Sequence, residues 1–255
     1  MRYLNITAFN NKTFQTLIRD KSVDYDMCIS VMIEDAYRLK YFPLKPGMTA
    51  IDLGAHIGTV TLMLASQGAK TYSVEPVPEN VQMLEYNIEK NGLKDLVKIY
   101  PYALASEKTT ITLHYQKEQV HHYIGRTSNT TIIPEHYIKS INVETITLEQ
   151  IFEENDIKHC HLIKTDIEGA EWDAFKNIPD HILERIDVIL GEIHKFNGTI
   201  IDSSSLLPLL KGYFYDASPI YHNIDHGPGK ADLTSKGGIA NFIYIRKGLK
   251  APIQW

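Results

Sequence analysis

Short β-rich runs and helical patterns alternate along most of the chain, and this alternation limits the fold more than any other feature. The β-rich runs lie at 49–54, 70–76, 96–104, 109–115, 160–166, 186–194, 213–220 and 239–246. The helical patterns lie at 59–68, 78–92, 148–155 and 204–212. Strands that alternate with helices form a parallel sheet, because each parallel connection has to cross back over a face of the sheet. The sequence therefore predicts an α/β fold.

The composition is that of one substantial domain. The chain has 255 residues, of which 44% are apolar, and this is enough for a single core. Its net charge of −5 comes without any lysine or arginine run, so we expect no nucleic-acid partner. The first fourteen residues lack a signal-peptide pattern, and no apolar run approaches the length of a membrane span. We expect a cytoplasmic protein without membrane contact, whose Cys28 and Cys160 are free buried thiols.

The stretch DLGAHIG, residues 52–58, predicts a ligand-binding turn. A strand runs into Gly54 and Gly58 and then into a helix. Glycine allows a ligand to approach the backbone closely, and the helix start offers amide groups. The spacing GxxxG differs from the GxGxxG of dinucleotide sites. Glu75 ends the next strand, where a carboxylate can accept hydrogen bonds from both hydroxyls of a ribose. A nucleoside ligand is therefore favoured over the alternative that Glu75 is a solvated acid.

A second unusual stretch is IKTDIEGAEWDAF, residues 163–175, which places four carboxylates directly after an apolar run. Acidic residues stabilise the first turn of a helix, and this accounts for Asp173 and in part for Glu171. It does not account for Asp166, which ends the apolar run. Because ligands bind outside the carboxyl ends of parallel strands, we expect Asp166 at the mouth of a binding crevice.

These stretches, with YPYALAS at 100–106 and VILGEIH at 188–194, resemble the FkbM-type S-adenosyl-L-methionine-dependent methyltransferases. The resemblance runs from about Lys45 to Arg246, and DIEGAE is its specific part; His56 stands where the family more often has asparagine. It implies a doubly wound, mostly parallel seven-stranded sheet with helices on both faces, the Rossmann-like fold of class I methyltransferases. Residues 45–255 would form this methyltransferase domain. Residues 1–44 match no motif and would form a helical extension.

The resemblance also implies a set of cofactor-binding residues. The glycine turn would wrap the methionine end of the cofactor, Glu75 would bind the ribose, and Asp166 would lie near the amino group or the sulfonium. Ala103 and Leu104 would border the adenine. The full set is Asp52, Gly54, Ala55, His56, Gly58, Glu75, Pro76, Ala103, Leu104 and Asp166.

The expected acceptor is a hydroxyl of a small molecule such as a sugar or natural product, which must lose a proton during methyl transfer. Glu192 and His194 lie two apart on one strand and face the same side. His194 would act as general base with an acidic neighbour, and Glu168, at the start of the following helix, would face the substrate. The same groups could instead hold a divalent cation such as Mg²⁺. The sequence leaves base and metal open.

Two other functions stay open: a nucleic-acid N-methyltransferase and a non-catalytic cofactor-binding module. The first is disfavoured because DIEGAE replaces the Asn/Asp-Pro-Pro-aromatic motif that holds an exocyclic amine. His159 and His161 begin their strand, so we interpret them as structural residues at the opposite edge of the sheet. The motifs leave open the acceptor, the oligomeric state and the roles of 116–140 and of the loop 221–238.

Overall fold

The computed structural model describes residues 1–116, 122–123, 138–194, 205–210, 214–216, 239–246 and 248–249. Its strands are β1 (Arg2–Thr7), β2 (Thr13–Ile18), β3 (Thr49–Leu53), β4 (Lys70–Val74), β5 (Val97–Tyr100), β6 (Ala103–Leu104), β7 (Thr110–Gln116), β8 (His122–Tyr123), β9 (Ile138–Ile146), β10 (Cys160–Thr165), β11 (Ile186–His194), β12 (Phe214–Asp216) and β13 (Ile239–Arg246). Its α-helices are α1 (Asp24–Met32), α2 (Thr59–Ala65), α3 (Pro78–Lys90), α4 (Leu148–Glu154), α5 (Glu171–Ala174) and α6 (Asp180–Leu183). Within these ranges, no helix has the length and apolar character needed to cross a membrane.

One large sheet organises the molecule, with its strands in the order β12, β13, β11, β10, β3, β4 and β5. Neighbours from β11 to β5 are parallel, whereas β13 is antiparallel to both of its neighbours. The chain builds outward from β3 in one direction and from β10 in the other. The carboxyl ends of these two strands therefore form a switch point, the place where ligands bind in open α/β sheets. The predicted α/β fold with a mostly parallel sheet is confirmed.

Helices cover both faces of this sheet, and the strand residues alternate between two hydrophobic cores. Ala50 and Leu162 belong to the core that holds apolar residues of α1, α2 and α3. Their neighbours Ile51 and Ile163 belong to the core that holds residues of α4 and α6. Successive side chains of a strand point to opposite faces, so both faces of these strands must be apolar. The predicted placement of helices on both faces is confirmed.

The first 44 residues are not the helical extension that we predicted. They begin with an antiparallel hairpin of β1 and β2, and only then form α1. The buried side chains of β2 alternate, with Phe14 and Ile18 entering the same core as α2 and α3. This period of two specifies a strand with one buried face. It was missed because the buried position between Phe14 and Ile18 is the polar Thr16, while the apolar Leu17 lies on the other face. The N-terminal segment thus shares a core with the methyltransferase-like region.

A smaller sheet of β6, β9, β7 and β8 flanks the large one. The predicted strand 96–104 is divided into β5 and β6, because Pro101 has no N–H for the ladder of the large sheet. Ala103 and Leu104 pair instead with β9. The strand β9 was missed: we recognised no β-rich run between residues 115 and 148. The alternation of Ile141 and Val143 with polar residues is short, and the next buried position is the polar Thr145.

The predicted helix at 204–212 is not formed in its described part. Residues 205–210 form turns, and Leu206 and Leu210 are buried against β13 and its neighbours. Pro208 lacks an N–H and its ring opposes a regular helix. The loop 221–238 and His121 lie outside the described residues.

Candidate functional site

A tight turn follows β3 at the switch point. Gly54 has φ +76° and Gly58 has φ +95°, conformations that favour glycine. The amides of Gly54 and Ala55 both donate to the carbonyl of Val74, at 3.0 Å each. A Cβ on Gly54 would lie 1.8 Å from the carbonyl oxygen of Asp166. The turn therefore lies directly against the end of β10 and requires glycine at its first position.

Glu75 lies at the predicted strand end, but its fully buried carboxylate is bound to the protein. One oxygen accepts a hydrogen bond from the amide of His56 at 2.8 Å. The other accepts from the amide of Val77 at 3.0 Å and from Nδ2 of Asn80 at 3.1 Å. Glu75 thus connects the glycine turn to the start of α3. Its binding to a ribose stays a prediction.

His56 directs its imidazole away from the crevice and towards the N-terminal segment. Its Nε2 lies 2.9 Å from the guanidinium of Arg19 and 3.3 Å from Asp24. Arg19 and Asp24 form an ion pair of 2.8 Å with a fully buried carboxylate. His56 therefore takes part in the turn through its backbone amide, which donates to Glu75. Its ring contacts Arg19 and Asp24 of the N-terminal segment, which carries no recognised motif.

An apolar pocket opens beside the turn, at the carboxyl end of β4. Its lining residues are Gly54, Val74, Pro76, Ala103, Leu104, Leu113 and Ile167. Four of them were assigned to the cofactor from the resemblance, and the structure brings these four together. Val74, Leu113 and Ile167 were missed, because an apolar side chain carries no chemical signature in a sequence.

Asp52 and Lys164 form a buried pair beneath the turn. The ammonium lies 3.5 Å from Asp52 and donates to the carbonyl of Gly54 at 2.9 Å. Thr61 donates to the second carboxylate oxygen of Asp52 at 2.6 Å. Burial raises the pKa of Asp52, although Lys164 and Thr61 oppose the rise. Asp52 thus supports the turn from below and does not line the pocket. Lys164 was missed, and its signal was a lone charge inside an apolar strand.

Asp166 follows β10 and occupies the expected position beside the glycine turn. One carboxylate oxygen accepts a hydrogen bond from the hydroxyl of Tyr37 at 2.7 Å and lies 4.0 Å from the ammonium of Lys164. The other oxygen lies 3.8 Å from Nε2 of His194. Asp166 therefore connects the turn to the acidic cluster at the end of β11. Tyr37 was another residue that the sequence did not indicate.

The segment DIEGAE forms a tight turn, and only then the short helix α5. Glu168 has φ +54° and Gly169 has φ +97°, so Glu168 lies in the turn and not at a helix start as predicted. Glu171 is fully buried. It accepts hydrogen bonds from the amides of Ile167 at 3.1 Å and Gly169 at 2.9 Å. Glu171 thus holds the turn together from a buried position.

His194 lies between this turn and the crevice. Its Nδ1 is 3.0 Å from Glu171. Its Nε2 is 3.3 Å from Glu168 and 3.9 Å from Glu192. Burial lowers the pKa of His194, but the hydrogen bond and charge of Glu171, with the other carboxylates, outweigh burial and raise the pKa to about 10. The raised pKa favours the imidazolium form of the ring at neutral pH, so the neighbouring carboxylates are better suited to accept a proton. A role of His194 as general base stays a prediction.

Two carboxylates of the cluster are better matched to accept a proton. Burial and the charge of Asp166 raise the pKa of Glu192 to about 8. The same two causes raise the pKa of Glu168 to about 7. A general base works best when its pKa lies near the working pH. Glu168 and Glu192 therefore have pKa values that suit a general base near neutral pH.

The metal alternative also has a geometric basis. Asp166, Glu192 and His194 each offer one ligand atom, and these atoms lie within 4.8 Å of one another. Carboxylate and imidazole are common ligands of divalent cations. A divalent cation was left open by the sequence, beside a general base, and it stays an alternative.

The remaining predictions of structural residues hold. His159 lies 2.6 Å from Asp187, and His161 accepts from the amide of Thr49, at the amino end of β10 and away from the crevice. Cys28 and Cys160 are free and buried.

Comparisons with known proteins converge on one family. The sequence model of the Methyltransferase FkbM domain matches residues 52–215, more than half of the 255-residue chain. Methyltransferase 1 of Beauveria bassiana (strain ARSEF 2860) is 22% identical over 199 residues, which cover 69% of this chain and 76% of the relative. Methyltransferase sdnD of Sordaria araneosa is 22% identical over 200 residues, which cover 66% and 74%.

Among solved structures, the chain is similar to the methyltransferase FkbM of Methylobacillus flagellatus KT. The two share 15% identity with a TM-score of 0.47, and the match covers 79% of this chain. It covers 44% of the other chain, so the present chain spans less than half the length of that protein.

Proposed function

Since the chain belongs to the FkbM methyltransferase family, we propose that it transfers the methyl group of S-adenosyl-L-methionine to a hydroxyl of a small molecule, such as a sugar or natural product. The observation that carries this proposal is the crevice at the switch point. There, an apolar pocket beside a glycine turn adjoins a cluster of carboxylates with raised pKa values. One side suits a nucleoside, and the other suits an acceptor that must lose a proton.

The pocket fits the adenine of the cofactor in its chemistry. Its walls are apolar side chains from two different sheets, and a planar base gains from burial between such walls. Gly54 leaves the backbone of the turn open to close approach. Asp166 would bind the positively charged end of the cofactor, and Glu75 would fix the turn and the ribose. When bound, the cofactor supplies an electrophilic methyl group on a sulfonium.

The acidic cluster would prepare the acceptor. Glu192 or Glu168 would take the proton of the acceptor hydroxyl, because their pKa values lie near neutrality. The imidazolium of His194 would hold these carboxylates and donate a hydrogen bond to the acceptor oxygen. The rigid anchoring of His194 by Glu171 would align the acceptor for an in-line displacement.

A methyl-transfer screen tests this proposal. The purified protein is incubated with methyl-labelled S-adenosyl-L-methionine and separate panels of sugars, polyketide-like alcohols and RNA, and products are identified by mass spectrometry and carbon NMR. We expect an O-methylated small molecule. Transfer to RNA only, or binding without transfer to any panel, would favour one of the two alternatives given by the sequence.

Matched variants locate the chemistry within the cluster. Either Glu192→Gln or Glu168→Gln, whichever removes the proton acceptor, should lower kcat by roughly 10²–10⁴-fold, the usual contribution of a general base. Glu184→Gln, which changes an exposed residue at the end of α6, should leave kcat unchanged. Unchanged kcat in both cluster variants would refute the assignment of the base.

A further inference from the structure

Tyr37 is the residue of the N-terminal segment that contacts the crevice carboxylate Asp166. It lies outside the region matched by the family, which begins at residue 52. Its side chain is buried, with 2% of the residue exposed, and its hydroxyl donates to Asp166 at 2.7 Å. The ammonium of Lys164 lies 5.2 Å from the centre of its ring. The contact thus joins a segment without a family motif to the specific motif of the family.

The hydroxyl of Tyr37 is a donor by necessity. A phenol carries one proton to donate, and its oxygen lies 2.7 Å from Oδ2 of Asp166. A carboxylate can only accept. The hydrogen bond therefore runs in one direction, from Tyr37 to Asp166.

The backbone around Tyr37 is built to hold it in place. Asp35 and Arg38, on either side, both have left-handed φ values, +54° and +60°. The buried carboxylate of Asp35 accepts from the amide of Leu39 at 2.6 Å, and the amide of Arg38 donates to the carbonyl of Asp35 at 2.8 Å. Non-glycine residues in this conformation persist only where the surrounding contacts determine it. The turn presents Tyr37 in one orientation.

The hydrogen bond fixes which oxygen of Asp166 faces the cluster. The oxygen that accepts from Tyr37 also faces Lys164, whereas the other oxygen faces His194. Without the hydroxyl, the first oxygen would lose its hydrogen bond at 2.7 Å, and the carboxylate could turn away from this orientation. It would then present its negative charge differently to a ligand in the crevice.

We propose that Tyr37 is a positioning residue, whose hydroxyl orients the Asp166 carboxylate to bind the positively charged end of the cofactor. The inference rests on the proposed function, since it gives Asp166 a cofactor to bind. It also makes the N-terminal segment a working part of the binding site, because β1, β2 and α1 carry the turn that holds Tyr37.

Tyr37→Phe tests the inference, because it removes the hydroxyl and keeps the ring over which Lys164 lies. Affinity for S-adenosyl-L-homocysteine, which retains the amino group, is measured by titration calorimetry together with the KM for S-adenosyl-L-methionine. We expect affinity to fall by up to about 10- to 150-fold, the effect of one hydrogen bond to a charged group, with kcat changed much less. Tyr86→Phe is the matched control: it removes an exposed hydroxyl that is bound to Tyr3, and affinity should not change.

A double-mutant cycle separates positioning from general packing. Asp166→Asn should weaken binding in the wild-type background, and Tyr37→Phe should add no further loss once Asp166 is neutral. It also tests the contact from its second side if Tyr37→Phe does not fold. If the wild type binds the cofactor, two results would overturn the inference alone. One is an unchanged affinity in Tyr37→Phe, and the other is a double variant in which the two losses of affinity multiply. Absence of cofactor binding by the wild type would overturn the proposed function with it.

Discussion

Replacement of Glu171 by glutamine should change the protonation of His194, and this change can be measured without a substrate. Glu171 is fully buried and has no contact with the pocket. Its carboxylate is the anchor for Nδ1 of His194, at 3.0 Å, and for two amides of the DIEGAE turn. Glu171→Gln keeps the shape of the side chain and removes the charge. The imidazolium then loses the partner that contributes most to its stability.

The magnitude follows from the pKa of His194. The rise from an ordinary value of 6.5 to about 10 corresponds to roughly 5 kcal/mol of preference for the charged ring. Glu171 supplies the largest favourable part of this preference, through its hydrogen bond and its charge. We therefore expect the pKa of His194 to fall by more than one unit, or at least about 1.4 kcal/mol. The amides of Ile167 and Gly169 would no longer donate to a charged carboxylate. This change should lower the free energy of unfolding by a further 2–4 kcal/mol, roughly.

The assay is an NMR titration of the histidine ring protons. The chain has 11 histidines, so the resonance of His194 is assigned by its absence in His194→Gln. Glu184→Gln serves as the control for removal of one exposed negative charge, and it should leave the titration unchanged. A pKa of His194 near 6.5 in the wild type would refute the account of the cluster. So would the same pKa in wild type and Glu171→Gln.

Four further predictions follow from the same contacts. The wild type should lose stability as the pH rises, because Glu168, Glu192 and His194 all have folded pKa values above their ordinary ones. The free energy of unfolding in urea should begin to fall near pH 4.5 and should fall further through about pH 7, 8 and 10, the folded pKa values of Glu168, Glu192 and His194 in that order. Lys164→Met should cost about 3–5 kcal/mol in urea unfolding, since it leaves a buried carboxylate without its cation. Gly54→Ala should abolish folding or cofactor binding, because its Cβ would lie 1.8 Å from a carbonyl oxygen. The control is Gly92→Ala, which also has a positive φ but has open space around it, and this change should lower the free energy of unfolding by only about 1 kcal/mol. A chelator should leave methyl transfer intact; activity that is lost and then restored by Mg²⁺ would favour the metal alternative.

The sequence predicts the large sheet well because the signals for its strands are local. The strands β3, β10 and β11 carry apolar residues on both faces, Gly54 marks the end of β3, and Pro78 marks the start of α3. The hairpin of β1 and β2 and the strand β9 were missed because a polar residue occupies a buried position of each alternating pattern, Thr16 in β2 and Thr145 in β9. The burial of these residues depends on partner strands and on a core formed elsewhere in the chain.

Several of the residues that the resemblance assigned to the cofactor lie together: Pro76, Ala103 and Leu104 line one pocket. Their binding of the cofactor stays a prediction. The protonation of His194 was not predictable, because it depends on a carboxylate 23 residues away that the fold brings to 3.0 Å. Tyr37 was missed for the same reason: its contact with Asp166 joins residues 129 positions apart. Site chemistry of this kind arises from tertiary contacts.

Titration calorimetry with S-adenosyl-L-homocysteine tests the central claim most directly, since it needs no knowledge of the acceptor. The account predicts saturable binding at one site per chain, competition by S-adenosyl-L-methionine, and no binding of a nicotinamide dinucleotide. It also predicts that Asp166→Asn weakens binding without a comparable loss of thermal stability. Binding of the dinucleotide with no binding of either methionine-derived ligand would contradict the account, and the crevice would then serve another nucleotide.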